Sequence, residues 1–304
     1  MTTAGPVALL GQIPPDVRAA LDGDARLVDV GALAAMDAGA RGGIARGLTS
    51  AIGGADAQVL AMLPGLRTIV SVGAGTDRFD MADLERRGIT LHSTPDVMTE
   101  DTAEYAVALV FATLRGVVAN DRFVRRGDWA SARAPLGRRV TGRRVGIVGL
   151  GRIGGRVAEK LSAMGCEVTY TARAAKDVRW SFVADVGDLA QAVDVLTLTC
   201  AGGERTRGLV DAAVLDRLGP EGVLVNVSRG SVVDEPSLIA ALEEGRIAGA
   251  ALDVFGDEPT PDARFADLQN CILSPHAATF TRENRRDLIA VIRRLLGLNQ
   301  PAGA

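Results

Sequence analysis

Three glycines at positions 149, 151 and 154, in the stretch RRVGIVGLGRIGGRVAEKL, constrain this chain more than any other feature. A short apolar strand, Arg144–Val148, is expected before them and an amphipathic helix, Ile153–Met164, after them. In that setting Gly149 permits a tight turn, Gly151 lets the backbone approach a pyrophosphate, and Gly154 allows helix and strand to pack closely. The helix start then offers free N–H groups and the positive end of its dipole to phosphates. Glycine is common here, with 36 in 304 residues, so the spacing alone says little. Its place inside a βαβ unit is what points to a dinucleotide rather than to an ordinary tight turn.

The surrounding sequence has the matching rhythm. Short apolar runs alternate with helical patterns nearly throughout, which predicts parallel sheets with helices on both faces. The first third gives strands at Val7–Leu10, Arg26–Val30, Gly47–Ser50, Thr68–Val72 and Thr90–His92, with helices at Pro15–Leu21, Asp56–Met62 and Met81–Arg86. A long, largely apolar helix is expected from about Asp101 to Arg126, with Asp101 as N-cap and Glu104 completing a capping box. So apolar a helix belongs between domains or subunits. Then come six strands in βα alternation: Arg144–Val148, Glu167–Thr171, Val193–Thr199, Val223–Asn226, Gly249–Val254 and Cys271–Leu273. Between them helices are expected at Ile153–Met164, Leu189–Ala192, Ala212–Leu218 and Pro236–Glu244. A last helix, about Thr281–Leu296, returns to the first domain. The expected division is therefore 1–96 with 281–304, and 97–280 for a doubly wound, Rossmann-type cofactor domain.

The second strand of that domain, in EVTYTARAAK, refines the cofactor. NAD sites usually carry an acidic residue there for the ribose 2′-hydroxyl. Here Thr171 stands in that place, and Arg173 and Lys176 follow, so a 2′-phosphate can pair with cations and meets no carboxylate. NADP(H) is expected over NAD(H), although two solvated cations on a loop would look the same.

Ligands of open parallel sheets bind beyond the carboxyl ends of the strands. After the fourth strand of the domain come Ser228 and Arg229, after the fifth Asp253 and Glu258, after the sixth His276. Arg229 can grip a carboxylate and polarise a carbonyl with planar, always-charged donors. His276 can protonate the carbonyl oxygen, and Glu258 can hold the far ring nitrogen and stabilise the imidazolium. Singly, each residue has a plain structural reading, but at one sheet edge they make a 2-keto acid site. Asp253 can hold a nicotinamide amide or brace its loop. In the first domain, Gly73, Ala74 and Gly75 can present N–H groups to an anion. His92, the other of only two histidines, has no visible partner in sequence and reads as structural.

Composition removes other classes. A net charge of −3 gives no reason to expect a nucleic-acid partner. No apolar stretch reaches the roughly 18 residues of a membrane span. The three cysteines, Cys166, Cys200 and Cys271, are far apart and form no CxxC pair, so reduced thiols and a cytoplasmic location are expected, with no metal site and no signal peptide at the N-terminus.

The stretches LPGLRTIVSVGAGTDRFD, TPDVMTEDTAEYAVAL, VGIVGLGRIG, VLVNVSRGSVVDE, AALDVFGDEP and SPHAAT together resemble the D-isomer-specific 2-hydroxyacid dehydrogenase family, over about residues 45–290. Within it, TPDV, YTAR and the missing second-strand acid are most similar to glyoxylate/hydroxypyruvate and hydroxyphenylpyruvate reductases. The resemblance implies a discontinuous flavodoxin-like substrate domain beside the Rossmann domain, and a homodimer formed around the long helix. It implies Arg229, Glu258 and His276 as the catalytic set, and Ala74 and Gly75 amides, with Arg229 and His276, as substrate contacts. Implied cofactor contacts are Thr102, Arg152, Ile153, Gly154, Arg173, Cys200, Val227 and Asp253, beside Gly149, Gly151, Thr171 and Lys176. HAAT after His276 departs from the family's usual His-Ile/Val-Gly-Ser/Gly run. The expected activity is NAD(P)H-dependent reduction of a small 2-keto acid of the glyoxylate/hydroxypyruvate class, with 4-hydroxyphenylpyruvate or 2-ketogluconate as variant substrates. A non-catalytic dinucleotide sensor resembling a corepressor is the alternative from another class.

Overall fold

A computed structural model describes residues 4–298. In chain order the elements are β1 (Ala4–Leu9), α1 (Pro15–Leu21), β2 (Ala25–Val28), α2 (Val30–Ala35), α3 (Ala38–Gly42), β3 (Arg46–Ser50), α4 (Ala57–Ala61), β4 (Thr68–Val72), α5 (Met81–Arg86) and β5 (Thr90–His92). The long helical segment follows as α6 (Pro95–Leu114) and α7 (Val117–Arg125). Then come β6 (Arg144–Val148), α8 (Arg152–Ala163), β7 (Glu167–Thr171), β8 (Ser181–Phe182), α9 (Val186–Ala192), β9 (Val195–Leu198), α10 (Ala212–Leu218), β10 (Val223–Asn226), α11 (Glu235–Glu243), β11 (Gly249–Leu252), β12 (Cys271–Leu273) and α12 (Arg282–Leu295). The chain divides into two units, Met1–Met98 with Phe280–Ala304, and Thr99–Thr279.

The first unit is a five-stranded parallel sheet in the order β2-β1-β3-β4-β5, which is the flavodoxin-like order. Period-2 alternation sends β1 side chains to both faces. Val7 and Leu9 join Leu288 and Ile292 of α12 on one side, while Ala8 and Leu10 join Leu33, Leu60 and Ile69 on the other. Thr281 caps α12 by accepting from Asn284 N at 3.0 Å. The Asn284 amide donates to the carbonyl of Val97, and Arg293 reaches Asp24 at 2.5 Å. These contacts seat α12 in the same unit as the N-terminal strands.

The second unit is a seven-stranded parallel sheet, β12-β11-β10-β9-β6-β7-β8, the doubly wound order with one further strand. Leu196, Leu198, Leu224 and Leu252 pack with α9, α10 and α11 on one face. Val145, Ile147, Val195 and Val225 pack with α6 and α8 on the other.

Several expectations need correction. Six strands were expected here, and β8 makes a seventh; Ser181–Phe182 is too short to show a period. β2 ends at Val28, because Val30 opens α2, and α2 and α3 were not anticipated. Asp101 is not an N-cap. The helix starts six residues earlier at Pro95, where a residue without an N–H costs nothing. Nor is the helix continuous to Arg126: Gly116, left-handed at φ 62°, separates α6 from α7, which are bent by 57°. Among the described residues no single helix is long and apolar enough to cross a membrane.

Candidate active site

Register fixes where the functional loops emerge. Across the second sheet Thr171 pairs with Val148, Val148 with Leu198, Leu198 with Asn226, Asn226 with Leu252, and Leu252 with Leu273. These six residues form one row of strand ends, about 24 Å long at the usual strand spacing. All of the loops that leave this row carry residues singled out in the sequence.

The glycine loop follows β6. Gly149 has φ 96°, and a Cβ there would lie 2.5 Å from the Cα of Cys200, on the loop after β9. Gly154 sits inside α8, where a Cβ would come within 2.1 Å of the Gly149 carbonyl oxygen. Both positions therefore exclude a side chain for reasons internal to the fold. Gly151 differs: a Cβ on it meets nothing within 4 Å, and as N-cap of α8 it supplies no side-chain hydrogen bond. A loop kept bare on its outer side, before the free N–H groups of a twelve-residue helix, fits a pyrophosphate. Arg152 is exposed and Ile153 partly buried at the start of α8. Ala103, one residue after buried Thr102 on α6, packs in the same cluster as Leu150, Ile153 and Val227.

After β7, Thr171 is buried and its hydroxyl donates to the Ala184 carbonyl at 3.1 Å. Arg173 is exposed. Lys176, expected beside Arg173 as a partner for a 2′-phosphate, donates from Nζ to the Leu150 carbonyl at 2.6 Å, within the glycine loop. Cys200 is part-buried after β9, and burial pushes its thiol up despite a hydrogen bond with Ser228.

Arg229 leaves β10 through a turn organised by Asn226, which is 1% exposed. Asn226 Oδ1 accepts from the N–H and hydroxyl of Ser228 at 3.0 and 2.9 Å, and its Nδ2 donates to the Arg229 carbonyl at 3.0 Å. Gly230 follows, and a Cβ there would fall 1.9 Å from the Phe255 carbonyl carbon. That close crossing brings the loop bearing Arg229 against the loop bearing Glu258. Asn226 and Gly230 were not anticipated, although an Asn two residues before Ser228 is a usable turn signal.

Glu258 and His276 meet: Oε2 lies 2.8 Å from Nδ1, and Oε1 accepts from Phe255 N at 2.9 Å. Burial pulls the Glu258 pKa upward, but the His276 hydrogen bond and charge, the Phe255 N–H and the Arg229 guanidinium outweigh it, so the carboxyl titrates below its ordinary value. His276 is the one non-glycine residue at positive φ, 52°, among the described residues. Such a conformation persists only when its surroundings impose it. Here Asp253 does so. Its Oδ1 accepts from the Ser274 hydroxyl at 2.5 Å and from Ala277 N at 2.8 Å, its Oδ2 accepts from Ala278 N at 3.0 Å, and its carbonyl accepts from His276 N at 2.9 Å. Tyr105, on α6, adds a 2.7 Å bond to Ser274. Of the two roles open to Asp253, bracing the loop is thus visible in the geometry. Tyr105 and Ser274 carry no sequence signal for this contact, since their spacing of 169 residues belongs to no motif.

In the first unit, Gly73 is at φ 120° and is tied to Thr94, whose hydroxyl accepts from Gly73 N at 2.9 Å. Ala74 and Gly75 follow on the loop after β4. His92 is half-buried at the end of β5. Among the described residues no group of three or more His, Cys, Asp or Glu is placed to hold a metal ion.

The model of the D-isomer specific 2-hydroxyacid dehydrogenase NAD binding domain matches residues 107–278, more than half of the chain. This chain belongs to that family. It is an oxidoreductase that uses NAD(P)(H) and acts on 2-keto acids. The dehydrogenase is 43% identical to a 2-ketogluconate reductase of Gluconobacter oxydans over 81% of this chain and 80% of the relative. It is 42% identical to a glyoxylate/hydroxypyruvate reductase of Arabidopsis thaliana, over 80% and 78%. A solved structure of an NADPH-dependent glyoxylate/hydroxypyruvate reductase from Sinorhizobium meliloti, in complex with NADP and malonate, superposes with a TM-score of 0.87 at 33% identity, over 95% of this chain and 91% of that one.

Proposed function

We propose that this dehydrogenase reduces a small 2-keto acid of the glyoxylate/hydroxypyruvate class to the D-2-hydroxy acid, with NADPH preferred over NADH. The observation that carries the assignment is the His276–Glu258 pair at the same sheet edge as the glycine loop, with Arg229 near enough to depress the Glu258 carboxyl. The bound nicotinamide supplies the hydride. Arg229 holds the substrate carboxylate and polarises its carbonyl with fixed charged donors. His276 gives a proton from Nε2 to the carbonyl oxygen, while Glu258 keeps Nδ1 protonated and compensates the charge on the ring. Ala74 and Gly75, on the loop after β4, carry two backbone donors suited to carboxylate oxygens. Arg173, exposed after β7 where Thr171 stands in place of the usual strand-end acid, supports the preference for a 2′-phosphate.

The likeness to the Gluconobacter enzyme favours a second substrate reading, 2-ketogluconate. A spectrophotometric panel of glyoxylate, hydroxypyruvate, 4-hydroxyphenylpyruvate and 2-ketogluconate with both reduced cofactors decides between them, and absence of turnover on all four overturns the assignment. We further propose a homodimer, supported by the large apolar side chains Val117, Val124, Trp129 and Leu136, all exposed in one segment of the second unit. A cytoplasmic setting is supported by three free cysteines. Sedimentation gives the oligomeric state.

A further inference from the structure

We propose that Lys176 is a positioning residue for the cofactor pyrophosphate, a tether that sets the glycine loop, and not a ligand of the 2′-phosphate. The inference rests on the glycine loop as the pyrophosphate site.

Lys176 is held at both ends. Its backbone N–H donates to the Tyr170 hydroxyl at 2.7 Å, and Tyr170 is fully buried at the end of β7. Its Nζ donates to the Leu150 carbonyl at 2.6 Å. The loop after β7 is thereby closed on the loop after β6. Leu150 precedes Gly151, so the peptide linking them turns about ψ of Leu150 and φ of Gly151, and the glycine gives it freedom on that side. The peptide unit is planar and trans, so its carbonyl and its N–H point in opposite directions. Holding the Leu150 carbonyl on the Lys176 side therefore turns the Gly151 N–H away from it. Gly151 is the position whose outer side is open. The tether thus pre-sets an amide that would otherwise rotate, and it acts on the part shared by NADH and NADPH. Arg173, two residues after Thr171, is left as the cation that tells the two cofactors apart.

The test is equilibrium binding of NADH, NADPH, ADP-ribose and 2′-phospho-ADP-ribose to the full chain, wild type, Lys176→Met and Lys176→Arg, with melting temperatures to show that each variant is folded. Lys176→Met is expected to weaken all four ligands by the same factor, about threefold to tenfold for one hydrogen bond, and Lys176→Arg to restore most of it. The factor should persist from low salt to about 0.5 M, where a loose charge would be screened. A loss confined to the two 2′-phosphorylated ligands, no loss at all, or a loss that vanishes in salt each overturns the tether. Failure of the wild type to bind ADP-ribose overturns both the tether and the pyrophosphate site.

Discussion

Nδ1 of His276 lies 2.8 Å from Oε2 of Glu258, and the other oxygen of that carboxylate is fixed by the Phe255 N–H at 2.9 Å. A carboxylate held on both oxygens sets the rotation of the ring and assigns its protons: Nδ1 faces the acceptor, so Nε2 is the nitrogen that can serve a substrate. His276→Ala should lower kcat roughly 10²–10⁴-fold, the usual worth of a general acid, with NADPH affinity unchanged. Turnover within a few-fold of wild type would remove His276 from the chemistry.

Glu258→Gln separates pairing from mere proximity. The carboxylate fixes the rotation and the proton of the ring, so its loss should lower kcat, and an unchanged kcat would refute the pairing. The same variant tests stability. The carboxyl titrates below its ordinary value of 4.5 in the folded protein. Its contribution is therefore complete above that value and is lost as pH falls through the depressed one. Urea unfolding should show Glu258→Gln weaker than wild type at neutral pH and converging with it in acid.

Arg173→Ala should weaken NADPH by about 1.5–3 kcal/mol, as for a lost charged hydrogen bond, and leave NADH nearly untouched. An equal effect on both cofactors would place Arg173 away from the 2′-phosphate.

The sequence exposed elements whose signal is local and hid contacts that depend on the third dimension. Short apolar or β-branched runs set off by turn residues mark strands, and β4, β5, β6, β7, β10 and β12 lie at the expected bounds. The candidate site follows the same logic: strand ends share one edge of a parallel sheet, which assigns Arg229, Glu258 and His276 to it from sequence. Gly116, by contrast, broke a helix that periodicity carried straight through to Arg126, because the apolar pattern continues across the bend. The second anchor of Lys176 and the clasp of Asp253 on the His276 loop are tertiary hydrogen bonds spanning 26 and 24 residues, and no periodicity reports them.

Asp253 tests how far that clasp serves the chemistry. It is 1% exposed, and three donors from the His276 loop converge on its carboxylate. Asp253→Ala leaves those donors without a partner and should cost about 1–3 kcal/mol in urea unfolding. It should also lower kcat, since the side-chain bonds that shape the loop on both sides of His276, at φ 52°, are lost. A variant with full stability and full kcat would show that the loop keeps its shape without Asp253.

Gly149 and Gly151 make the last comparison, because the fold constrains one and leaves the other open. Gly149→Ala puts a methyl 2.5 Å from the Cys200 Cα at a backbone angle that side chains avoid, so the protein itself should lose stability, by about 1–2 kcal/mol from the backbone alone. Gly151→Ala meets no protein atom within 4 Å and has φ −82°, so its cost to folding is confined to the poorer N-cap, at most about 1 kcal/mol. On the proposed reading of the glycine loop, the same methyl stands where a pyrophosphate would approach the backbone. Gly151→Ala is therefore expected to melt close to wild type and yet lose affinity for both NADH and NADPH. If it binds both cofactors as well as wild type does, the bare face of this turn serves some purpose other than phosphate contact.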